Sequence, residues 1–596
     1  MPERLDIETL LKVPTVDPDL GFDLSPDGSQ AAFSWNRSGC WEIYLLGLDG
    51  DSTPYKITQG DGAKFAPRWS PGGQRLAYVL DIDGGENYDL YVYHVETGEH
   101  QNLTPGTPEA LSPEFAWSPD GRQIAFCSDA AGRFDTYVMP SEGGVARKVL
   151  DAPNPDSGVC WSPDGRTLAV TSQGAAQDTW TTIVPLDGGE PHPIALGGDP
   201  ISAKDPCWSP DGRRLAFSSD LHGQFEIGVY DLAGRTITWL TDGDGEKEHS
   251  DWSADAFLTY VHSHGPRAEL ALMDLASGTV STHALEPGVM YTPKFTPAGD
   301  QIIFIFDNPR HPPDLWAFDR AGAAFRQLTH SLPPEIDPQA FFLPEEVWYP
   351  GLDGVDVPAL LYRPDRGDQL PPAVLYVHGG PNWLTQITWD PLVQHMLSRG
   401  WVVLAPNYRG STGYGRAWMN ANRFDLGGVD TADVTAGAEF LAGEGIADPA
   451  RIAITGRSWG GYLTMTCLTQ FPGKWAAGSA VAPFLNWFTG HANSREDLQH
   501  WDTENFGDPA ANKDLWTERS PFFFLDQVQA PVQLICGEHD VRCPASESQQ
   551  AHETLTSLGK ECDYHLYHGE GHSFLKVENQ VKSKQQVVDF LAKHLE

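Results

Sequence analysis

Along the first half of the chain one phrase keeps returning: an aromatic residue or leucine, a Ser or Thr, a polar turn, and then a short run rich in apolar residues. The copies read LSPDGSQAAF from position 24, WSPGGQRLAY from 69, WSPDGRQIAF from 117, WSPDGRTLAV from 161, WSPDGRRLAF from 208, WSADAFLTYV from 252 and FTPAGDQIIF from 295. Their Ser or Thr stands at 25, 70, 118, 162, 209, 253 and 296, in steps of 45, 48, 44, 47, 44 and 43. A period of about 45 residues suits one four-stranded propeller blade. Within the phrase Pro presets φ, Asp bonds back to the backbone and Gly accepts positive φ, so a turn delivers the chain into a strand. That strand, as at 122–126, is expected to alternate inward and outward, and a second of the type at 89–93 or 226–230 follows it. Seven copies predict an N-terminal seven-bladed β-propeller over residues 17–340. A blade cannot bury both sheet faces alone, so the blades stack around a channel. A β-sandwich or two small β domains would not give so regular a step.

From Glu346 the pattern changes to strands alternating with helical stretches, the mark of a mostly parallel sheet covered on both faces. Residues 347–349 and 357–363 read as antiparallel edge strands, and 373–377 and 401–405 as continuous apolar strands buried on both sides. The strand predicted at 451–455 runs into Gly456-Arg457-Ser458-Trp459-Gly460-Gly461, and 462–468 reads as a helix. These features predict a C-terminal α/β-hydrolase, doubly wound with a mostly parallel sheet, over 341–596. Residues 1–16, with Leu5, Ile7, Leu10 and Leu11, form a separate segment expected to pack on it.

A strand, a sharp G-x-S-x-G turn and a helix together make a nucleophile elbow, in which glycines two residues either side of the serine spare collisions with neighbouring backbone. Ser458 is thus the candidate nucleophile, at a helix N-terminus that favours the negative charge of a tetrahedral intermediate. Asp540 follows the predicted strand 532–536 and His572 follows 564–567, so both fall in loops at the same carboxyl edge. The order Ser, Asp, His is that of the hydrolase fold. His539 rivals His572 as the base and Glu538 rivals Asp540 as the acid; His565 and His568 read as structural.

Composition narrows the partners. Forty Lys and Arg against 81 Asp and Glu give a formal charge of −41, which repels nucleic acid and anionic membranes. The N-terminal stretch resembles neither a secretory signal nor a transit peptide, and no window of about 18 apolar residues would span a bilayer. Eight scattered cysteines in no CxxC spacing read as reduced thiols in the cytoplasm. No metal cluster, phosphate loop or cofactor fingerprint stands out, so no metal or cofactor is expected. Homo-oligomerisation is left open.

Taken together, Gly-Arg-Ser-Trp-Gly-Gly-Tyr at 456–462, His-Gly-Gly-Pro at 378–381, Asn-Tyr-Arg-Gly-Ser at 407–411, Asp-Val-Arg at 540–542 and Gly-Glu-Gly-His-Ser-Phe at 569–574 resemble the prolyl oligopeptidase family. Within it the acylaminoacyl-peptidase-like branch is the nearest likeness, and the resemblance covers nearly the whole length. It implies a serine peptidase for short peptides, with the propeller roofing the site. It further implies oxyanion donors from the N–H groups of Trp459 and Gly380, and a substrate-gripping Arg542. The segment bearing Phe484 and Trp487 falls where the family builds its first specificity pocket, although core packing accounts for those two residues equally well. No counterpart is visible of the paired propeller glutamates that dipeptidyl-peptidase relatives carry. The expected activity is release of N-terminal acylated or free amino acids through an acyl-enzyme. Dipeptidyl-, amino- or carboxypeptidase action and esterase action are alternatives, and a binding propeller with an inert hydrolase is the alternative of another class.

Overall fold

The computed structural model describes residues 6–50, 52–106, 109–364 and 369–596. The chain divides into two compact units, one of residues 14–82 and 86–333, the other built mainly from residues 334–596 together with 83–85 and the N-terminal segment up to Val13. The divisions fall at 13/14 and 333/334 rather than at the expected 16/17 and 340/341. Residues 14–16 go with the first unit because Val16 bridges Trp35 and donates its N–H to Pro313 O at 2.9 Å.

The first unit holds seven four-stranded antiparallel sheets in chain order, from Phe22–Leu24 to Ala324–Gln327, and is a seven-bladed β-propeller. Its recurring turn is a small hydrogen-bonded device. Ser118 Oγ donates to Asp120 Oδ1 at 2.7 Å and accepts the Gln123 N–H at 2.9 Å. Ser162 does the same with Asp164 and Thr167. In three blades the tryptophan of the phrase also ties its blade to the one before: Trp117 Nε1 donates to Arg68 O at 3.0 Å, Trp161 Nε1 to Ala116 O at 3.1 Å and Trp252 Nε1 to Cys207 O at 3.1 Å. The expected inward and outward alternation is not what the second strand of a blade shows. In Gln123–Ser128 and Arg214–Ser219 every residue after the first is buried. Each blade has a neighbour on both faces, so both sets of side chains lose water.

The second unit is built on eight strands: β1 (Glu345–Pro350), β2 (Asp356–Tyr362), β3 (Ala373–Val377), β4 (Val402–Pro406), β5 (Ile452–Arg457), β6 (Gly478–Val481), β7 (Val532–Gly537) and β8 (Cys562–Tyr567). Their order in the sheet is β1-β2-β4-β3-β5-β6-β7-β8. β1 and β2 are antiparallel, and from β4 onward the sheet is parallel. Successive residues of a strand face opposite sides, so one sheet makes two cores. Leu375, Leu404, Ile454 and Leu534 point into one with Leu463 and Leu468 of the helix Trp459–Gln470. Val374, Val403, Ala453 and Ile535 point into the other, which also takes Ile7, Leu11 and the helix Val577–Leu595. Leu10 is buried too, whereas Leu5 lies outside the described residues.

Candidate active site

The elbow follows directly from the packing of β5. Ser458 has φ 59° and ψ −122°, a left-handed backbone rare for a residue with a side chain, held between the end of β5 and the helix Trp459–Gln470. The flanking glycines have no room for a Cβ: one on Gly456 would lie 2.5 Å from Val377 O, one on Gly460 2.1 Å from the same atom, and one on Gly461 2.7 Å from Val481 O. Close backbone approach therefore fixes the turn, and the turn sets Ser458 at the first turn of the helix, where backbone N–H groups have no intrahelical partner.

Asp540 lies three residues past β7 and His572 five past β8, and both are buried. His572 Nδ1 and Asp540 Oδ2 are 2.8 Å apart. A carboxylate only accepts, so Nδ1 carries the proton, and a neutral His572 ring keeps Nε2 as an acceptor. Asp540 Oδ1 accepts the N–H groups of Arg542 at 2.9 Å and Cys543 at 2.8 Å, which fixes the carboxylate's direction. The two loops are laced together by Glu538 N to Tyr567 O at 3.0 Å and His539 N to Glu570 O at 2.9 Å. Arg457, next to the serine, donates to His572 O at 3.1 Å and Ser573 Oγ at 2.7 Å. The rival side chains face elsewhere: His539 Nε2 lies 3.7 Å from Glu538, His568 Nδ1 3.2 Å from Glu538, and His565 pairs with Gln586 at 3.2 Å.

The loop after β3 runs alongside the nucleophile, and a Cβ on Gly379 would stand 3.3 Å from Ser458 Cβ. Gly380 has φ +123°. His378 anchors this loop, hydrogen-bonded to Gly379 O at 2.7 Å and Ser411 Oγ at 2.9 Å and stacked on Tyr408 at 4.2 Å. Burial pushes its pKa down to about 4, so this imidazole is neutral near pH 7.

A cavity of about 270 Å³ opens beside the serine, and Ser458, Trp459, Gly380, Phe484, Trp487 and Arg542 all line it. Its walls are an aromatic cluster in which Phe484 stacks on Tyr462 at 4.6 Å and meets Trp487 edge-on at 4.9 Å, while Trp459 lies 5.9 Å from Trp487. Trp487 is 2 % exposed and packs on Phe506 at 4.4 Å, so it serves the core as well as the wall. Among the described residues, the group whose donor atoms gather closely enough for a metal ion lies in the propeller unit, not here.

Residues 388–596 match the prolyl oligopeptidase family, and residues 20–192 match the TolB beta propeller domain. The chain is a serine peptidase of the prolyl oligopeptidase family. Among its relatives is dipeptidyl aminopeptidase BIII of Pseudoxanthomonas mexicana, 25% identical over 96% of this chain and 86% of that one. Another is the acylamino-acid-releasing enzyme of Rattus norvegicus, 25% identical over 58% of this chain and 50% of that one. A solved puromycin-hydrolyzing peptidase of Mycobacterium tuberculosis superposes with a TM-score of 0.88, at 21% identity over 100% of this chain and 96% of that one, a likeness of fold.

The cavity is also lined by residues that belong to no motif of the sequence. Leu498 and Trp501 of the helix Glu496–Phe506 complete the apolar wall of the cavity, and His491 and Asp502, paired at 3.0 Å, give it one polar end. Burial raises the Asp502 pKa. Glu547, fully buried, accepts the N–H groups of Leu485 at 3.1 Å and Asn486 at 2.9 Å. It thereby ties the segment bearing Phe484 and Trp487 to the helix that follows the Asp540 loop. Cys543 also lines the cavity, and burial drives its thiol well above the ordinary range, with Ser458 among its hydrogen-bond partners. An amphipathic pattern at 496–506 marks a helix but not the wall it faces, so these residues carried no signal of their own. Among the described residues no helix is long and apolar enough to cross a membrane.

Proposed function

We propose that Ser458 is the nucleophile, His572 the general base and Asp540 the group that orients and stabilises the imidazole. His572 Nε2 takes the Ser458 proton as Oγ attacks the scissile carbonyl, and returns it to the leaving amine; water then repeats the sequence on the acyl-enzyme. The N–H groups of Trp459 and Gly380 receive the developing oxyanion. The Arg542 guanidinium holds a substrate carbonyl or carboxylate. The observation that carries this reading is the 2.8 Å contact of His572 with Asp540 on loops of the same sheet edge as the strained elbow.

The cavity is the pocket for the residue on the acyl side of the cut, and its aromatic walls suit a large apolar or aromatic side chain. The substrates are short peptides, from whose amino ends acylated or free amino acids are released. This draws on the acylamino-acid-releasing and aminopeptidase relatives. Eight free cysteines support a cytoplasmic setting.

The test is a fluorophosphonate probe together with a panel of acetylated, free and internally quenched peptides. The wild-type chain is expected to be labelled and S458A not, with aromatic aminoacyl ends cut fastest. Turnover of simple esters without any peptide cleavage would reject the peptide substrate, and labelling of S458A would reject the nucleophile.

A further inference from the structure

In the sixth sheet of the propeller, strands Phe257–His264 and Arg267–Asp274 form a hairpin with His264 opposite Arg267 and His262 opposite Glu269. Residues directly opposite across an antiparallel pair share a face, as do residues two apart on a strand. His262, His264 and Glu269 therefore project from one face near the turn, and one donor atom from each lies within 4.8 Å of the others. The two imidazole rings are 4.2 Å apart.

The hydrogen bonding of His262 gives this cluster a chemical direction. Its Nε2 is 3.0 Å from Asp244 O, and a carbonyl only accepts, so Nε2 holds the proton. In the neutral ring the Nδ1 lone pair then faces Glu269 Oε1 at 3.9 Å, too long for a hydrogen bond. Two acceptors so placed leave room for a cation, whose tetrahedral bonds of about 2.0–2.1 Å would draw them slightly closer together. A histidine that donates its second nitrogen to a backbone carbonyl while presenting the first is also the usual arrangement around a metal. Space is provided by Gly245, where a Cβ would lie 2.8 Å from His262 Nε2 and 3.0 Å from His264 Cε1. The neighbouring positive charges are Arg267, opposite His264, and Lys247, opposite His262. The Lys247 ammonium is held 3.0 Å from Glu226 and by the carbonyls of Gly243 and Gly245 at 2.9 Å.

We propose that His262, His264 and Glu269 bind a zinc ion, with solvent completing its coordination. Two imidazoles and one carboxylate suit zinc, whereas magnesium and calcium take oxygen donors. Bound there, the ion cross-links the two strands of the hairpin. The site lies wholly within the propeller unit and is independent of the peptidase assignment. A metal reading from sequence had no purchase on it, because Glu269 belongs to the opposite strand and meets the His-x-His pair only once the hairpin forms.

The test uses the full chain stripped with chelator, titrated with Zn²⁺ by calorimetry and with Co²⁺ by visible absorption, beside H264A and E269Q. The wild type is expected to bind one equivalent more tightly than either variant by about tenfold or greater, and to show Co²⁺ bands that H264A loses. Melting of the metal-free proteins checks that the variants fold, and Zn²⁺ is expected to raise the wild-type melting temperature alone. Equal Zn²⁺ affinity and equal Co²⁺ spectra in all three proteins would overturn the proposal. So would a wild type that takes up no Zn²⁺ while E269Q lowers the His262 pKa measured by NMR, the behaviour of a plain ion pair.

Discussion

The propeller and the hydrolase sheet use polar side chains in opposite ways. In the propeller the polar groups of the repeated phrase close circuits within a few residues or with the adjoining blade, as Ser118 does with Asp120 and Gln123 and Trp161 with Ala116. In the hydrolase the polar groups of interest come from far along the chain, Ser458 from the end of β5, Asp540 from beyond β7 and His572 from beyond β8. The short circuits stabilise, and because they repeat, losing one leaves the others standing. The long-range constellation has no duplicate. Substitutions in the first region should therefore move stability and spare chemistry, while those in the second should do the reverse.

That contrast breaks most sharply at Asp540. D540N keeps the shape of the side chain but removes the group that fixes the His572 tautomer, so kcat should fall roughly 10⁴-fold with little change in melting temperature. A loss of less than about tenfold would mean that the acid is elsewhere. A smaller effect is expected at the cavity wall, where W501A should lower kcat/KM for aromatic substrates by about ten- to a hundredfold and for alanyl substrates far less. Equal losses for both would separate Trp501 from specificity.

Asp430 sharpens the comparison from within the hydrolase, as a buried polar group outside the proposed chemistry. Burial raises its pKa from 3.8 to about 7, against hydrogen bonds from Thr431 and Asn422 that work the other way. Between about pH 4 and 7 the unfolded chain gives up this proton and the folded chain keeps it, so wild-type stability declines as pH rises through that window. D430N lacks the titration and should be more stable than wild type at pH 8, by on the order of a few kcal/mol, and equal to it at pH 4. Parallel pH–stability curves would refute the assignment. The smallest effect is expected in the propeller, where W161F removes one indole bond to Ala116 and should cost about 1 kcal/mol with kcat unchanged.

The same difference in range explains what could be read from the sequence. The blades were legible because the Ser-Pro-Asp-Gly turn and the strand after it are adjacent residues obeying local rules, repeated seven times. The elbow was legible for the same reason, since Gly456 and Gly460 flank Ser458 in a turn whose steric demands are local. Asp540 and His572 could be placed because each follows an apolar strand, and strand direction alone puts such loops at one edge. The cavity wall was not legible beyond Phe484 and Trp487. Trp501 and Asp502 meet the nucleophile only through the fold, and nothing in their neighbourhood distinguishes a lining residue from a core one. Burial on both faces of the blade strands was missed as well, because alternation assumes one wet face and a blade between two others has none.

The account depends on Ser458 supplying the attacking oxygen, and the most direct measurement is peptide hydrolysis by S458A beside the wild type under the same conditions. It predicts a fall in kcat of roughly 10⁴- to 10⁶-fold with folding intact, leaving only the residual rate that binding and the oxyanion donors sustain. Hydrolysis at the wild-type rate would contradict it.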